Sequence, residues 1–327
     1  HEPVGVSAGI VPWNVPLFIS MLKLAPALAS GSTMVLKPAP ETPLSAYALA
    51  ELCADAGVPD GVVNIVPAGR ETGQHLVTHP DVDKVSFTGS TAAGRKIGAA
   101  CGELLRRVTL ELGGKSAAIV CDDADLDAIM PELIASSTMN NGQACVAQTR
   151  ILATRSRYDE VVEALTEAVA AIPVGDPADM ETGCGPLIAE RQRDRVEGYL
   201  QIGRDEGARI TTGGGRPEGQ DRGWFVEPTV FADVDNSMRI AQEEIFGPVL
   251  AVIAVDDADD AVRVANDSAY GLSGTVWTAD ADAGLDIARR VRTGTYTVNG
   301  FAMEWGAPFG GFKDSGVGRE LGPEGLA

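Results

Sequence analysis

The sequence predicts an α/β protein: a first domain with a parallel sheet covered by helices on both faces, followed by a second α/β domain. Three observations carry this. Short apolar runs alternate with segments of helical apolar spacing from residue 4 to about 120. The short runs are continuously apolar, as strands buried on both faces are. Finally, 327 residues, 45% hydrophobic and 22% charged, suffice for a large core and roughly two domains.

Residues 4–10 read as the first strand. Over residues 16–29 apolar side chains recur at helical spacing, and Gly31 follows as a stop signal. Residues 33–36 form a short apolar strand. A second helix covers 43–56, with Leu44, Ala48 and Leu52 on one face, Pro43 at its start and Gly57 at its end. Pro59-Asp60-Gly61 is a turn before the strand 62–66. A short helix over 71–77 leads to the strand 84–88, and the next helix spans 91–100. Such alternation builds a parallel sheet with crossover helices.

The texture changes after residue 113. Residues 125–138 are helical and 148–154 form a strand. The helix 158–172 is amphipathic, with Val161, Val162, Leu165, Val169 and Ile172 on one side. A more charged helix covers 189–206, and Gly213-Gly214-Gly215 is a loop. Strands at 249–255, 275–277 and 295–298 then alternate with helices at 258–266 and 281–291. The final thirty or so residues are glycine-rich and carry little periodicity. No internal repeat or low-complexity linker interrupts the chain.

The formal net charge of −20 repels phosphate backbones and anionic lipid, which argues against nucleic-acid and membrane partners. Five scattered cysteines form no CxxC pair, so no metal site is expected. Their odd number fits a reducing cytoplasm better than a disulfide framework. No apolar run reaches the length of a membrane span and no signal peptide opens the chain. The chain starts at His1 and enters a strand at once, so it is expected to be a fragment of a longer protein.

Two segments could carry chemistry. In Phe87-Thr88-Gly89-Ser90-Thr91-Ala92-Ala93-Gly94 a strand runs through a glycine into a helix. The helix-start N–H groups and dipole can hold a pyrophosphate; a capped surface helix would read the same way. In Met139-Asn140-Asn141-Gly142-Gln143-Ala144-Cys145 a cysteine follows a helix in a loop. It is either an activated nucleophile or an inert small hydrophobe. The three histidines, His1, His75 and His79, offer it little as a base, which leaves a cysteine–histidine hydrolase poorly supported. Glu111, between Leu110 and Leu112 and before Gly113-Gly114, is the better base candidate; the alternative is an edge-strand carboxylate.

Taken together, these segments resemble the aldehyde dehydrogenase superfamily. The matching strings are Pro12-Trp13-Asn14-Val15-Pro16, Phe87-Thr88-Gly89-Ser90, Leu110-Glu111-Leu112-Gly113-Gly114-Lys115-Ser116, Gly142-Gln143-Ala144-Cys145, Glu243-Glu244-Ile245-Phe246-Gly247-Pro248 and Pro308-Phe309-Gly310-Gly311. Their order and spacing fit along essentially the whole chain. The resemblance implies an incomplete Rossmann-like NAD(P)-binding domain at 1–113, a catalytic domain at 114–315, and a segment at 316–327 returning toward the cofactor domain. Parts before residue 1 and after residue 327 are expected to be missing, and the full-length protein to be a homodimer or homotetramer.

The implied reaction is oxidation of an aldehyde to the acid. Cys145 attacks the carbonyl, and the Asn14 amide and the Cys145 N–H hold the oxyanion. Hydride leaves for the nicotinamide, and Glu111 activates the water that hydrolyses the thioester. Lys23 and Glu320 match positions that relay protons from the base. Cofactor contacts are implied for Pro12, Trp13, Asn14, Lys37, Gly89, Ser90, Leu112, Glu244 and Phe246. NAD is favoured and NADP stays open: NAD-preferring relatives often carry a glutamate at the place of Pro40, whereas here it comes one residue later, at Glu41. A CoA-acylating relative usually lacks the glutamate matching Glu111, and a non-enzymatic one usually lacks the cysteine. The residues Phe18, Met21, Leu22, Ala144 and Val146, with the stretch 301–305, are mostly apolar, Glu304 being the exception, and point to a medium apolar or aromatic aldehyde over an acidic semialdehyde.

Overall fold

The computed structural model describes residues 2–326. They form two compact units: residues up to Gly113 together with those from Glu304 on, and Gly114–Met303. Both are α/β, and each has its own sheet.

The first unit runs β1 (Val6–Ile10), α1 (Pro16–Ala29), β2 (Thr33–Lys37), α2 (Leu44–Asp55), β3 (Val63–Ile65), α3 (Arg70–Thr78), β4 (Lys84–Thr88), α4 (Thr91–Glu103) and β5 (Arg107–Glu111). The spatial order is β3-β2-β1-β4-β5, all parallel, and the short strand Gly316–Val317 adds antiparallel to β5. The chain winds outward from β1 to β3, then crosses back to β4 on the other side of β1. Loops leaving the carboxyl ends of β1 and β4 therefore diverge and open the crevice where open α/β sheets bind ligands. The register aligns Ile10 with Lys37 and Phe87, and Thr88 with Glu111, along that carboxyl edge.

Helix α1 begins with Pro16 in its first turn and turns Ile19, Ser20, Lys23, Leu24 and Ala27 inward. It is set beside a core of Val11, Met34, Leu36 and Leu49. The other side of the sheet carries Ala8, Val85, Phe87 and Leu110 against Val77 and Cys101. The first strand is shorter than the expected 4–10. Gly5 adopts φ +111° and the Asp83 carboxylate accepts the Val6 N–H, so pairing starts only at Val6.

In the second unit the spatial order is Thr297–Val298, Gly274–Trp277, β6 (Ala117–Val120), β7 (Arg150–Thr154), Val249–Val255, Thr229–Ala232 and Arg209–Thr212. All pairings are parallel except the last. Helix α5 (Leu126–Thr138) is capped by Asp125, whose carboxylate accepts the Ala128 N–H at 3.3 Å. Alternate faces of the sheet feed separate cores, one around Leu152, Phe231 and Ile253 and one around Leu133, Leu165 and Val252.

Residues 304–315 group with the first unit, where the sequence placed them in the second. Hydrogen bonds at the end of this stretch tie it there: the Leu112 N–H donates to Ser315 O at 2.9 Å, and the Ser315 hydroxyl donates to Gly113 O at 2.7 Å. Glu111 likewise lies on an inner strand and not on a sheet edge, because Gly316–Val317 covers β5.

Candidate active site

In the first unit, the residues singled out in the sequence gather at the carboxyl edge of the sheet. Pro12, Trp13 and Asn14 form the β1–α1 loop, half-buried at the head of the crevice. Lys37 ends β2. Its Nζ donates to Pro38 O at 2.7 Å and Ala68 O at 2.9 Å, which leaves one of three ammonium hydrogens for another acceptor. Burial lowers its pKa, and the Glu41 carboxylate opposes that. Gly89 and Ser90 follow β4. Ser90 caps α4, accepting the Ala93 N–H at 3.4 Å, while the Gly89 N–H is held by Glu111 O at 3.0 Å. The Thr91 and Ala92 N–H groups head the helix with no intrahelical partner.

Glu111 closes β5 and is 3% exposed, and neither of its carboxylate oxygens has a hydrogen-bond partner. Burial, joined by the nearby Glu320 carboxylate, raises its pKa well above the ordinary carboxyl range; Lys23 and Arg319 pull the other way. Burial thus makes the carboxylate a stronger base than an exposed one. A Cβ on Gly310 would lie 2.7 Å from Glu111 Oε1, so the glycine lets the backbone press against the carboxyl. That backbone is fixed by paired Phe309 and Glu320 hydrogen bonds of 2.6 and 2.7 Å.

Lys23, buried on α1, pairs with Glu320 Oε1 at 2.6 Å and also donates to Thr88 Oγ1 at 2.8 Å and Ser86 Oγ at 3.1 Å. The cluster is a buried ion pair satisfied by hydroxyls, with Glu320 close enough to act on Glu111. Leu112 is buried beside it and packs in the β4–β5 core.

In the second unit, Cys145 lies half-buried in the turn after α5. The approach to it is sharply bent: Asn140, Asn141 and Gly142 take positive φ in succession, at 51°, 58° and 71°. Gln143 staples the bend. Its side-chain oxygen accepts the Ile188 N–H at 3.1 Å and its amide donates to Asn140 O at 3.2 Å. Gly114 abuts the Cys145 carbonyl, where a Cβ would lie 2.2 Å from that oxygen. The Gly114 N–H donates to Glu244 Oε1 at 2.9 Å, so Glu244 is fixed beside the same glycine. Burial pushes the Glu244 carboxyl up to about 6. Phe246 takes φ +64°, and Gln192 Nε2 donates to its carbonyl at 2.6 Å. By contrast, burial raises the Cys101 thiol and pushes Cys121 and Cys184 to about 11, which leaves them unreactive.

Sequence reasoning missed several supporting groups. Thr88 and Gly310 stood in the matching strings without a role, and Ser86 and Arg319 gave no signal at all. Gln192 and Arg195, which hold the 244–246 backbone, are spaced as ordinary residues of a charged helix. Among the described residues there is no group of metal-ligating side chains and no helix long and apolar enough to cross a membrane.

The residues of the first unit fit a dinucleotide: a strand order that reverses beside a glycine turn, and a capped helix start at the carboxyl edge of the sheet. Comparison with known proteins agrees. The aldehyde dehydrogenase family model matches residues 1–327. Geranial dehydrogenase of Castellaniella defragrans is 58% identical over 326 residues, covering 100% of this chain and 68% of that protein. A Mycobacterium tuberculosis aldehyde dehydrogenase complexed with NAD+ superposes with a TM-score of 0.98 at 60% identity, over 99% of this chain and 67% of that one. A mutant of aldehyde dehydrogenase C from Pseudomonas syringae, complexed with NAD+ and octanal, gives 0.97 at 45% identity, over 99% and 67%. This chain thus spans about two thirds of the length of the relatives it matches. With the whole chain inside the family model and identities this high, the chain belongs to the aldehyde dehydrogenase family.

Proposed function

We propose that the protein oxidises an aldehyde to its carboxylic acid with NAD+, through a covalent thioester on Cys145. Glu111 carries the reading. A carboxyl buried with no hydrogen-bond partner at either oxygen costs stability, and the cost is explained by a proton-transfer role.

Each residue's part follows from its surroundings. Cys145 Sγ adds to the carbonyl carbon to give a thiohemiacetal, and its half-buried turn keeps the sulfur within reach of solvent-borne substrate. Asn14 supplies a side-chain N–H for the developing oxyanion, worth about 3 kcal/mol of transition-state stabilisation. Bound NAD+ supplies the hydride acceptor, a chemistry no side chain offers. Glu244 and Lys37 hold the two riboses, and the head of α4 with Ser90 holds the pyrophosphate. Glu111 takes a proton from the water that cleaves the thioester. Lys23 and Glu320 pass that proton on. Glu41, close enough to act on Lys37, disfavours a 2′-phosphate and supports NAD over NADP.

An apolar aldehyde suits the exposed side chains of the first unit. Leu17 and Met21 on α1 are partly open to solvent, and Phe18 meets the exposed Trp305 ring edge-on at 5.7 Å. The similarity to a geranial dehydrogenase supports the same class. Kinetics in which a short acidic semialdehyde outranks apolar aldehydes would reverse this choice. A cytoplasmic homo-oligomer, which the family resemblance implies, completes the reading; the free thiols at Cys53, Cys101, Cys121 and Cys184 fit a reducing compartment.

The test is NADH absorbance with full-length enzyme. Cys145→Ala abolishes NADH formation; retained activity would rule out the covalent route. Glu111→Gln gives a burst of NADH and then a slow steady rate. A steady rate equal to the parent's would remove Glu111 from the hydrolytic step.

A further inference from the structure

Arg319 touches three successive residues of the turn that presses on Glu111. A Cβ on Gly310 would lie 2.9 Å from Arg319 Cδ and 2.7 Å from Glu111 Oε1, so Gly310 is held between the arginine stem and the carboxyl. Arg319 Nη1 donates to Gly311 O at 3.2 Å, and the guanidinium lies 5.1 Å from the centre of the Phe312 ring. A second bond from Nη1, to Gly318 O at 2.6 Å, anchors the group at its own end of the segment. An ammonium on a flexible stem does not reproduce such a planar fork.

Charge adds to contact. Both acceptors used by Arg319 are neutral carbonyls, and among the described residues it forms no ion pair. The charged groups acting on Glu111 are Glu320 and Arg319 from the final segment and Lys23 from α1. Lys84 and Arg107 stand at the far ends of β4 and β5, four residues from Thr88 and Glu111 in register and about 13 Å away. Lys23 is matched by Glu320 at 2.6 Å, and of these two Glu320 acts more strongly on Glu111. Among the described residues Arg319 is thus the cation near this carboxyl that no carboxylate offsets.

We propose that Arg319 is the positioning residue of Glu111 in deacylation: it clamps Gly310 and Gly311 against the carboxyl and presents it with a positive charge that no neighbouring carboxylate neutralises. The inference rests on Glu111 as the base that hydrolyses the thioester. Removing the charge disfavours the ionised base, so deacylation is lost at a higher pH than in the parent. Loosening the clamp misplaces the base and slows deacylation at every pH.

Full-length enzyme in excess, with NAD+, is mixed with octanal and acid-quenched at intervals across a pH series, and the acyl adduct on Cys145 is followed by intact mass. The rise of the adduct reads acylation and its decay reads deacylation. Arg319→Gln slows the decay about tenfold on the acid limb and about threefold at the alkaline plateau, while the rise keeps the parent's pH profile. Arg319→Lys keeps the charge and loses the fork, so it slows the decay about threefold without displacing the limb. Equal slowing of rise and decay overturns the proposal, as does a limb in Arg319→Gln at the parent's position, or one in Arg319→Lys that moves as far as in Arg319→Gln. Should Arg319→Gln fail to fold, Arg319→Lys decides: decay at the parent's rate overturns the clamp. A parent that forms no adduct refutes the thioester and this inference with it. Decay that Glu111→Gln slows and Arg319→Gln leaves untouched refutes the part of Arg319 alone.

Discussion

Replacing Glu320 by leucine removes the counter-charge of a lysine buried in the heart of the first unit. Lys23 would keep its bonds to Thr88 Oγ1 and Ser86 Oγ, at 2.8 and 3.1 Å, and lose its 2.6 Å contact with the carboxylate. Both partners are nearly inaccessible, with side-chain exposures of 0% and 6%, so solvent screens little of the change. Breaking a buried pair on one side costs about 3–5 kcal/mol, and the remaining hydroxyls place this case near the lower end, at about 3 kcal/mol. At roughly 2–4 °C per kcal/mol, Tm should fall by about 6–12 °C. The double variant Lys23→Met with Glu320→Leu leaves no orphaned charge and should recover most of that loss. Urea unfolding of the full-length parent, both single variants and the double variant completes the cycle. A Glu320→Leu cost below about 1 kcal/mol, the level of an exposed pair, would refute the argument. So would a double variant as unstable as the sum of the singles.

Glu111 binds its proton more tightly in the folded protein than in the unfolded chain, where the ordinary value is 4.5. The associated stability is complete below that value and is lost as pH rises through the raised folded pKa. Glu111→Gln escapes this loss, so its stability relative to the parent should climb with pH over that window; urea titrations showing a constant difference would contradict it. Glu244, with a pKa of about 6, should lose its role as ribose acceptor on protonation. KM for NAD+ should therefore rise as pH falls through that value, while Glu244→Gln shows a high KM with a flat profile. Glu41→Gln relieves the repulsion of a 2′-phosphate and should raise kcat/KM for NADP relative to NAD by about tenfold, equivalent to about 1.4 kcal/mol. An unchanged ratio would clear Glu41 of any part in cofactor choice.

The sequence by itself determined the fold class, the helices and the chemistry-bearing strings. Helix α1 carries its start in Pro16 and its inward face in Ile19, Lys23, Leu24 and Ala27, all local signals that periodicity exposes. Strands β5 and β6 went unseen as elements. Arg107-Val108-Thr109-Leu110-Glu111 alternates and ends in a charge, unlike the apolar runs before it, and Ala117–Val120 is only four residues long. Thr229–Ala232, equally short, is fully buried by its neighbours and not marked by its own pattern. Only the tertiary structure decided that Glu111 sits inside the sheet, because the strand that covers it comes from a glycine-rich tail without periodicity. The same holds for Lys23 and Glu320, which meet across 297 residues. Side-chain spacing fixes which face of an element turns inward. What that face meets depends on pairings between distant segments, and it is there that charges find or lack a partner.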